Sequence, residues 1–348
     1  LPIDKSKVNT IGVIGPNADS RAALIGNYHG TSSEYVTVLE GIREEAGDDV
    51  RILYSQGCDL YKDKVENLAW DQDRISEAVI TAENSDVVIL CVGLDETLEG
   101  EEGDTGNSDA SGDKVDLHLP KVQEELIEKV TAVGKPTIVV LMAGSAIDLN
   151  YAQDNCNGIL LAWYPGARGG RAIADLLFGK ESPSGKLPIT FYKDLEGMPE
   201  FTDYSMKNRT YRYMEKEALY PFGYGLTYSD TCVTEAEVVS EVSAESDIML
   251  KATVKNNGTV DTDEVVQVYI KDLDSPLAVR NYSLCGFKRV SLKAGEEKTV
   301  EFTISNKAMN IVDEDGNRYI AGKHFRLFAG VSQPDTRSAE LTGHKPAE

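Results

Sequence analysis

Cysteine is scarce in this 348-residue sequence, and its arrangement excludes two common frameworks. The cysteines number five, an odd count, and no two of them form a CxxC pair, so neither a disulfide scaffold nor a zinc knuckle is indicated. A reducing compartment fits this usage best, and a bacterial cytoplasm is the expected location. Cys91 lies in an apolar run and is better explained as a buried small hydrophobe than as a reactive thiol. The four histidines have no metal-ligand spacing, so we predict neither a metal site nor a cofactor.

Long apolar runs and positive charge are also lacking. No run approaches the ~20 residues that a membrane-spanning helix needs. Lys and Arg total 35 against 58 Asp and Glu, which gives a net charge of -23. A nucleic acid or an anionic lipid surface would be repelled by this charge, so we expect neither as a partner and look for a neutral or cationic one.

Several familiar site motifs fail on inspection. The segment GKESPSGKL is one residue too long for a P-loop and has Leu187 where Ser or Thr belongs. The turn from Gly12 to Pro16 lacks the G-x-G-x-x-G arrangement of dinucleotide sites. Ser145 lacks the flanking glycines of a nucleophile elbow. The stretch from Asn107 to Gly112 mimics the start of a calcium loop, but His118 stands where a bidentate Glu is required.

Four apolar runs in the first two thirds of the chain predict strands of a mainly parallel sheet. Each run is apolar throughout, as strands covered on both faces are, and amphipathic stretches lie between them as crossover helices. We therefore predict an α/β sandwich over residues 1–228. The predicted strands are 10–15, 85–93, 136–144 and 158–166, and the predicted helices are 71–85, 119–134 and 167–179.

After Tyr228 the pattern changes to short strands that are separated by Asn-Gly, Gly-Glu and Asp-Gly turns. Such spacing is typical of an all-β sandwich, which we predict over residues 229–348. A chain of this length is expected to form two cores in any case. The predicted strands are 247–257, 264–272, 283–292, 298–305 and 323–332.

One long polar loop follows the second apolar run, and carboxylates crowd its first part. Open parallel sheets bind ligands outside the carboxyl ends of their strands, which is where this loop begins. Neighbouring like charges raise the pKa of a carboxyl group, as a proton-donating Glu requires at neutral pH. Composition alone still favours a solvated acidic loop. The carboxylates are Glu96, Glu99, Glu101, Glu102 and Asp104.

The order of motifs along the chain resembles that of family 3 glycoside hydrolases. The β-rich part is similar to that family's fibronectin type III-like domain, through VKNNGTVDTDEVVQVYI and LCGFKRVSLKAGEEKTVEFTI. The resemblance extends from Leu1 to about Val331. The motifs that carry it are IGVIGPNAD at 11–19, GLDETLEGEEGD at 93–104, LHLPKVQEELI at 117–127, WYPGARGGRAIADLLFGKESPSGKLPITF at 163–191 and YRYMEKEALYPFGYGLTY at 211–228.

This resemblance implies a retaining, exo-acting β-glycosidase. In such an enzyme an Asp on a (β/α)8 barrel attacks the anomeric carbon, while a Glu from the α/β sandwich donates a proton to the leaving oxygen. The family's E-G-E type motif maps onto Glu99-Gly100-Glu101, so Glu101 is the expected acid/base and Glu102 is the reserve. Glu99 and Asp104 are expected to bind substrate. Trp163 could stack on a sugar face or pack beneath a domain interface.

The sequence contains no eightfold βα pattern, so the nucleophile is expected outside these 348 residues. The start, LPIDKS, resembles the junction that follows the barrel in relatives, and a barrel on a second chain or a missing segment is therefore an expected partner. Alone, this chain is expected not to turn over substrate. The expected substrate is an oligosaccharide or aryl β-glucoside, with β-xyloside next, and a homo-oligomer is a further partner to test. The alternative is a non-catalytic carbohydrate-binding or scaffolding module.

Overall fold

The computed structural model describes residues 1–62, 70, 72–101 and 114–348. These residues form two compact units, Leu1–Glu181 and Ser182–Glu348, and each has a buried apolar cluster of its own. Within the described ranges no helix is both long enough and apolar enough to cross a bilayer.

The first unit is built on a five-stranded sheet in which every neighbouring pair is parallel. The strand order is β2-β1-β3-β4-β5, and β3 and β4 are buried along their whole length. All four predicted strands are confirmed. The strands are β1 (Thr10–Ile14), β2 (Arg51–Ser55), β3 (Val87–Gly93), β4 (Thr137–Met142) and β5 (Gly158–Leu161). Cys91 lies on β3 with no exposed surface, as expected of a buried small hydrophobe.

Helices connect these strands, and each of the three predicted helices is present. A capping box starts α2, because Thr37 accepts from the Glu40 N–H while the Glu40 side chain accepts from the Thr37 N–H. Helices α2 and α6 pack closely, and a Cβ at Gly41 would lie 2.1 Å from the Gly170 carbonyl oxygen. A Cβ at Gly170 would in turn lie 1.8 Å from the Thr37 carbonyl oxygen, so the absence of a side chain at both glycines allows the two helices to approach. The helices are α1 (Ala22–Ile25), α2 (Val38–Ala46), α3 (Asp73–Glu83), α4 (Lys121–Thr131), α5 (Asn150–Asn155) and α6 (Gly169–Leu177), and a 3₁₀ turn covers Lys5–Lys7.

The second unit is a β-sandwich of two three-stranded antiparallel sheets, ordered β11-β10-β15 and β12-β9-β8. Both sheets contribute to one core, which includes Val254, Val268 and Phe302. The predicted all-β sandwich is confirmed. The elements are β6 (Phe191–Tyr192), α7 (Thr210–Tyr213), β7 (Ala218–Tyr220), β8 (Thr231–Val238), β9 (Ile248–Asn256), β10 (Thr262–Asp272), β11 (Ser283–Leu292), β12 (Glu297–Ile304), a 3₁₀ turn at Asn306–Met309, β13 (Ile311–Val312), β14 (Arg318–Tyr319), β15 (Phe325–Gly330) and α8 (Thr336–Thr342).

Residues 182–228 pack against the sandwich strands within the second unit. The Tyr211 ring stacks on Phe222 with centroids 4.3 Å apart, and it meets Tyr269 edge-on at 6.2 Å. Lys186, from the segment that failed as a P-loop, instead forms a buried ion pair with Glu264, with Nζ 2.8 Å from Oε1. The domain boundary near Tyr228 stays a sequence-based prediction.

Candidate functional site

The candidate site lies at the carboxyl edge of the parallel sheet, where two glycines bring neighbouring strand ends together. Gly15, after β1, has φ +123°, and a Cβ there would lie 2.0 Å from the Cys91 carbonyl oxygen. Gly93, which ends β3, has φ +147°, and a Cβ there would lie 1.9 Å from the Met142 carbonyl oxygen. No side chain fits in either gap. The loops after β1, β3 and β4 therefore start in close contact.

A turn at Asp95 sets the course of the acidic loop after β3. Its Oδ1 accepts hydrogen bonds from the Thr97 N–H at 2.9 Å and from the Thr97 hydroxyl at 2.7 Å. Its carbonyl oxygen accepts from the Glu99 N–H at 2.9 Å. Asp95 is buried. Sequence reasoning missed this residue, although an Asp two positions before a Thr at a strand end is an Asx-turn signal.

Glu99 is tied to the loops that follow the next two strands. Its Oε2 accepts a 2.6 Å hydrogen bond from the Gly144 N–H and another of 2.6 Å from the Tyr164 hydroxyl. Burial, and then the negative charge of Glu99, raise the pKa of Tyr164 well above its ordinary value. The tyrosine therefore remains a donor across the working range of most enzymes.

Close packing holds the Tyr164 ring in place. A Cβ at Gly144 would lie 3.0 Å from that ring and 3.2 Å from Glu99 Oε2. A Cβ at Gly26, where φ is +60°, would lie 2.6 Å from the ring. Two glycines thus make room for the aromatic side chain. The Glu99 carboxylate is consequently positioned by side-chain packing as well as by its two donors.

Glu101 is exposed, and the loop that follows α1 contacts its side chain. Its Oε2 accepts a hydrogen bond from the Tyr28 hydroxyl. Tyr28 has a left-handed backbone, with φ +56°, and the residue is 81% exposed. The next residue, His29, places Nε2 3.0 Å from Glu96 Oε2. Within the described residues, the loop at 26–30 therefore contacts the acidic loop through Tyr28 and His29, and neither contact was predicted from the sequence.

The remaining candidates divide between described and undescribed residues. Trp163 directly precedes Tyr164 beyond the end of β5, is partly buried and has φ +52°. Glu102 and Asp104 lie outside the described residues, as does the calcium-like stretch from Asn107 to Gly112. Lys114 returns the chain to the site and donates a 3.0 Å hydrogen bond to the His118 carbonyl. Burial lowers the pKa of Lys114, and the charge of Glu99 opposes that change.

Among residues 1–62, 70, 72–101 and 114–348, no group of three or more His, Cys, Asp or Glu side chains could hold a metal ion. The chemistry that the described part of the site offers is that of carboxylates, phenolic hydroxyls and backbone N–H groups.

A parallel sheet with carboxylates at its carboxyl edge, followed by a β-sandwich, defines a two-domain α/β and all-β protein with an acidic candidate site. The model of the glycosyl hydrolase family 3 C-terminal domain matches residues 1–228, and that of a fibronectin type III-like domain matches residues 264–333. The chain belongs to glycosyl hydrolase family 3. The family resemblance found in the sequence is thereby confirmed.

Named relatives in this family include both β-xylosidases and β-glucosidases. The chain is 35% identical to a β-xylosidase of Formosa agariphila, over 98% of this chain and 47% of that protein. It is 32% identical to a periplasmic β-glucosidase of Salmonella typhimurium, over 95% of this chain and 46% of that protein. The crystal structure of a Bifidobacterium adolescentis family 3 β-glucosidase aligns with this chain with a TM-score of 0.82 at 30% identity. The alignment covers 96% of this chain and 48% of that one. The chain thus spans about half the length of these relatives.

Proposed function

We propose that this chain supplies the acid/base half of a retaining, exo-acting β-glycosidase, and that a (β/α)8 barrel outside it supplies the Asp nucleophile. The observation that carries the proposal is the position of Glu101 on the loop after β3, at the carboxyl edge of a family 3 sheet. The chain covers about half of its named relatives. About half the length of such a protein is therefore left for the barrel that would supply the nucleophile.

Glu101 would act twice in the reaction. As an acid it protonates the glycosidic oxygen while the barrel Asp forms a covalent glycosyl-enzyme, and as a base it then takes a proton from the attacking water. The Tyr28 hydroxyl already donates to this carboxylate. That bond would stabilise the anion left after the first proton transfer and would orient it for the second.

Glu99 would bind substrate rather than transfer protons. Its Oε2 is occupied by the Gly144 N–H and the Tyr164 hydroxyl, and this arrangement favours a fixed acceptor for a sugar hydroxyl. Trp163, next in the chain to Tyr164, is proposed to contact the same sugar, and Asp104 is proposed as a further binding residue. Glu102 remains the reserve for the acid/base role.

The proposed substrates are terminal β-D-glucosyl and β-D-xylosyl residues of oligosaccharides or aryl glycosides. Both sugars occur in the names of the relatives, so both belong in one assay. The chain should be mixed with a barrel half from its parent gene or from a family relative. Turnover is then measured on nitrophenyl β-glucoside, on nitrophenyl β-xyloside and on the corresponding disaccharides.

Glu101→Gln should lower turnover of the disaccharides by roughly 10²–10⁴-fold, which is the usual contribution of a general acid. The loss should be smaller on nitrophenyl glycosides, because their leaving group needs little protonation. Glu102→Gln tests the reserve, and Glu128→Gln on the exposed face of α4 is the matched control. If disaccharide turnover survives Glu101→Gln unchanged, the acid/base assignment is wrong.

The competing function is a non-catalytic carbohydrate-binding or scaffolding module. It predicts that no barrel half restores turnover, while the chain alone still binds oligosaccharides. Titrating the unmixed chain with xylobiose and cellobiose, alongside the complementation assay, separates the two functions. Activity in the mixture that depends on Glu101 excludes the module.

A further inference from the structure

The acidic loop after β3 starts at Gly93 and ends at α4, and one side chain joins these two ends. Gln123 lies in the first turn of α4, 30 positions after Gly93, and it is buried. Its Oε1 accepts a 2.8 Å hydrogen bond from the Gly93 N–H, and its Nε2 donates one of 2.8 Å to the Gly93 carbonyl. The side-chain amide therefore pairs with both backbone groups of the residue at which the loop begins.

This pairing takes the place of a neighbouring strand. The register between β1 and β3 ends at Leu90, before Gly93 is reached. On the β4 side the pairing continues to the end of β3, and the Leu94 N–H donates to the Met142 carbonyl at 2.8 Å. Buried backbone groups need a hydrogen-bond partner. Gln123 supplies that partner at the point where β1 has ended.

A third hydrogen bond attaches the same amide to the loop after β2. Nε2 of Gln123 donates to the Leu60 carbonyl at 2.6 Å. Both hydrogens of the amide and its oxygen are therefore used, and all three partners are backbone groups. A buried amide with its hydrogen bonds satisfied in this way keeps one orientation, because any rotation would leave polar groups without partners.

A short stretch of chain leads from Gly93 to Glu101, and it has attachments of its own. Asn17, which has no exposed surface, donates from Nδ2 to the Leu94 carbonyl at 3.0 Å. The turn at Asp95 follows directly. A shift of Gly93 would move the start of this stretch and would carry the Glu101 carboxylate with it.

We propose that Gln123 is a positioning residue for the acid/base: by fixing the start of the acidic loop, it sets the reach of Glu101 toward the glycosidic oxygen. This inference rests on the proposed function, since it requires that Glu101 transfers the proton. Gln123 is buried and acts through the loop, without touching substrate. A displacement of about 1 Å at a catalytic group can cost roughly a hundredfold in rate, so an amide away from the chemistry can control proton transfer.

The test compares Gln123→Met with Gln267→Met in the enzyme completed by a barrel half. Methionine keeps an unbranched side chain of similar length and removes the amide. Gln267 is the matched control, because it is buried and its amide also makes three hydrogen bonds, all within the second unit; the partners are Gly223, Val331 and Tyr269. The quantity measured is the ratio of kcat/KM on the disaccharides to kcat/KM on the nitrophenyl glycosides.

Gln123→Met should lower kcat/KM on the disaccharides by about a hundredfold, and on the nitrophenyl glycosides by much less, because only the poor leaving group needs the proton. The ratio should then fall by at least about tenfold. A loss of folded protein lowers both values equally, so Gln267→Met should leave the ratio unchanged. If Gln123→Met does not fold, Gln123→Glu fills the same space without the amide donors, and the ratio should fall in that variant.

Equal losses on both classes of substrate in the Gln123 variants would make the residue purely structural and would overturn the proposal. Failure of both Gln123 variants to fold would overturn it too, as would an equal fall in the ratio for Gln267→Met. Glu101→Gln is measured alongside. If it lowers the ratio and Gln123→Met does not, the positioning role fails while the proposed function stands. If Glu101→Gln leaves the ratio unchanged, the proposed function fails and the positioning role fails with it.

Discussion

The hydroxyl of Tyr164 donates a 2.6 Å hydrogen bond to Oε2 of Glu99, across 65 positions of sequence. The same oxygen accepts from the Gly144 N–H, so one carboxylate atom links the loops after β3, β4 and β5. Rotation of this carboxylate would break two charge-assisted bonds together. Glu99 is thus held by the fold before any ligand arrives.

Replacing Tyr164 with Phe tests this relationship. The change removes one donor to a carboxylate and keeps the ring, so the free energy of unfolding of the first unit should fall by about 2 kcal/mol. In the enzyme completed by a barrel half, KM should rise more than kcat falls, since Glu99 is proposed to bind substrate. Urea unfolding and steady-state kinetics measure the two effects. Tyr151→Phe, on the exposed surface of α5, should change neither; equal effects from both variants would refute the role of Tyr164.

Gly93→Ala should prevent or severely weaken folding of the first unit. The new Cβ would lie 1.9 Å from the Met142 carbonyl oxygen, at a φ of +147°. Gly134 is the matched control, because its φ is +78° but no atom lies within 4 Å of an added Cβ. Gly134→Ala should therefore cost only the left-handed backbone, about 1–2 kcal/mol. Thermal unfolding of both variants separates the clash with Met142 from the backbone strain that both share. Similar losses of stability in the two variants would contradict the packing argument.

The buried pair of Lys186 and Glu264 gives a third prediction. Their side chains are 8% and 2% exposed. Lys186→Met leaves Glu264 buried without its partner and should destabilise the second unit by about 3–5 kcal/mol. Adding Glu264→Gln should recover part of that loss, because no buried charge remains. Lys193→Met, at an exposed pair with Glu217, should cost no more than about 1 kcal/mol; urea midpoints that ranked these variants otherwise would disprove the assignment.

Glu45 should make the stability of the first unit depend on pH. Burial opposes its ionisation, but hydrogen bonds from Lys180 and Lys5 outweigh burial and lower the pKa of Glu45 below its ordinary value of 4.5. A depressed pKa in the folded state means that the stabilisation is complete above pH 4.5 and is lost as the pH falls through the lower folded value.

The measurement is the free energy of unfolding between pH 7 and pH 3 for the wild-type chain and for Glu45→Gln. The free energy of unfolding of the wild-type chain should exceed that of Glu45→Gln by a constant amount near pH 7. This difference should shrink below pH 4.5, where the carboxyl group of the unfolded chain becomes protonated. Glu128→Gln on α4 provides the control. A wild-type advantage that grew as the pH fell would have the wrong sign.

The parts of the fold that sequence predicted are those with continuous apolar runs. Strands β3 and β4 are buried on both faces, and nearly all of their residues are accordingly apolar. Strand β2 was not predicted, because it lies at the edge of the sheet, begins at an exposed Arg51 and is only partly buried. Strand β8 was missed for a similar reason, since much of it is exposed.

In the candidate site, too, only the features that are local in sequence could be predicted. The acidic loop was predictable because its carboxylates are neighbours in sequence. Tyr28 and Tyr164 reach that loop from 73 and 65 positions away, and such hydrogen bonds leave no local period or composition to read. Gly144 contributes only its N–H, a group that every residue except proline carries. Glu101 could be picked out as a candidate in the sequence, whereas the residues that contact this loop are brought to it by the folded sheet edge.

The packing of residues 182–228 also bears on how this protein can be divided for expression. A fragment that starts after Tyr228 would contain Glu264, Tyr269 and Tyr282 but neither Lys186 nor Tyr211. It would expose one face of an aromatic cluster and bury a carboxylate without its cation. A fragment that starts at Ser182 keeps both sets of partners, so soluble, monodisperse protein is expected from the longer piece and aggregation from the shorter one.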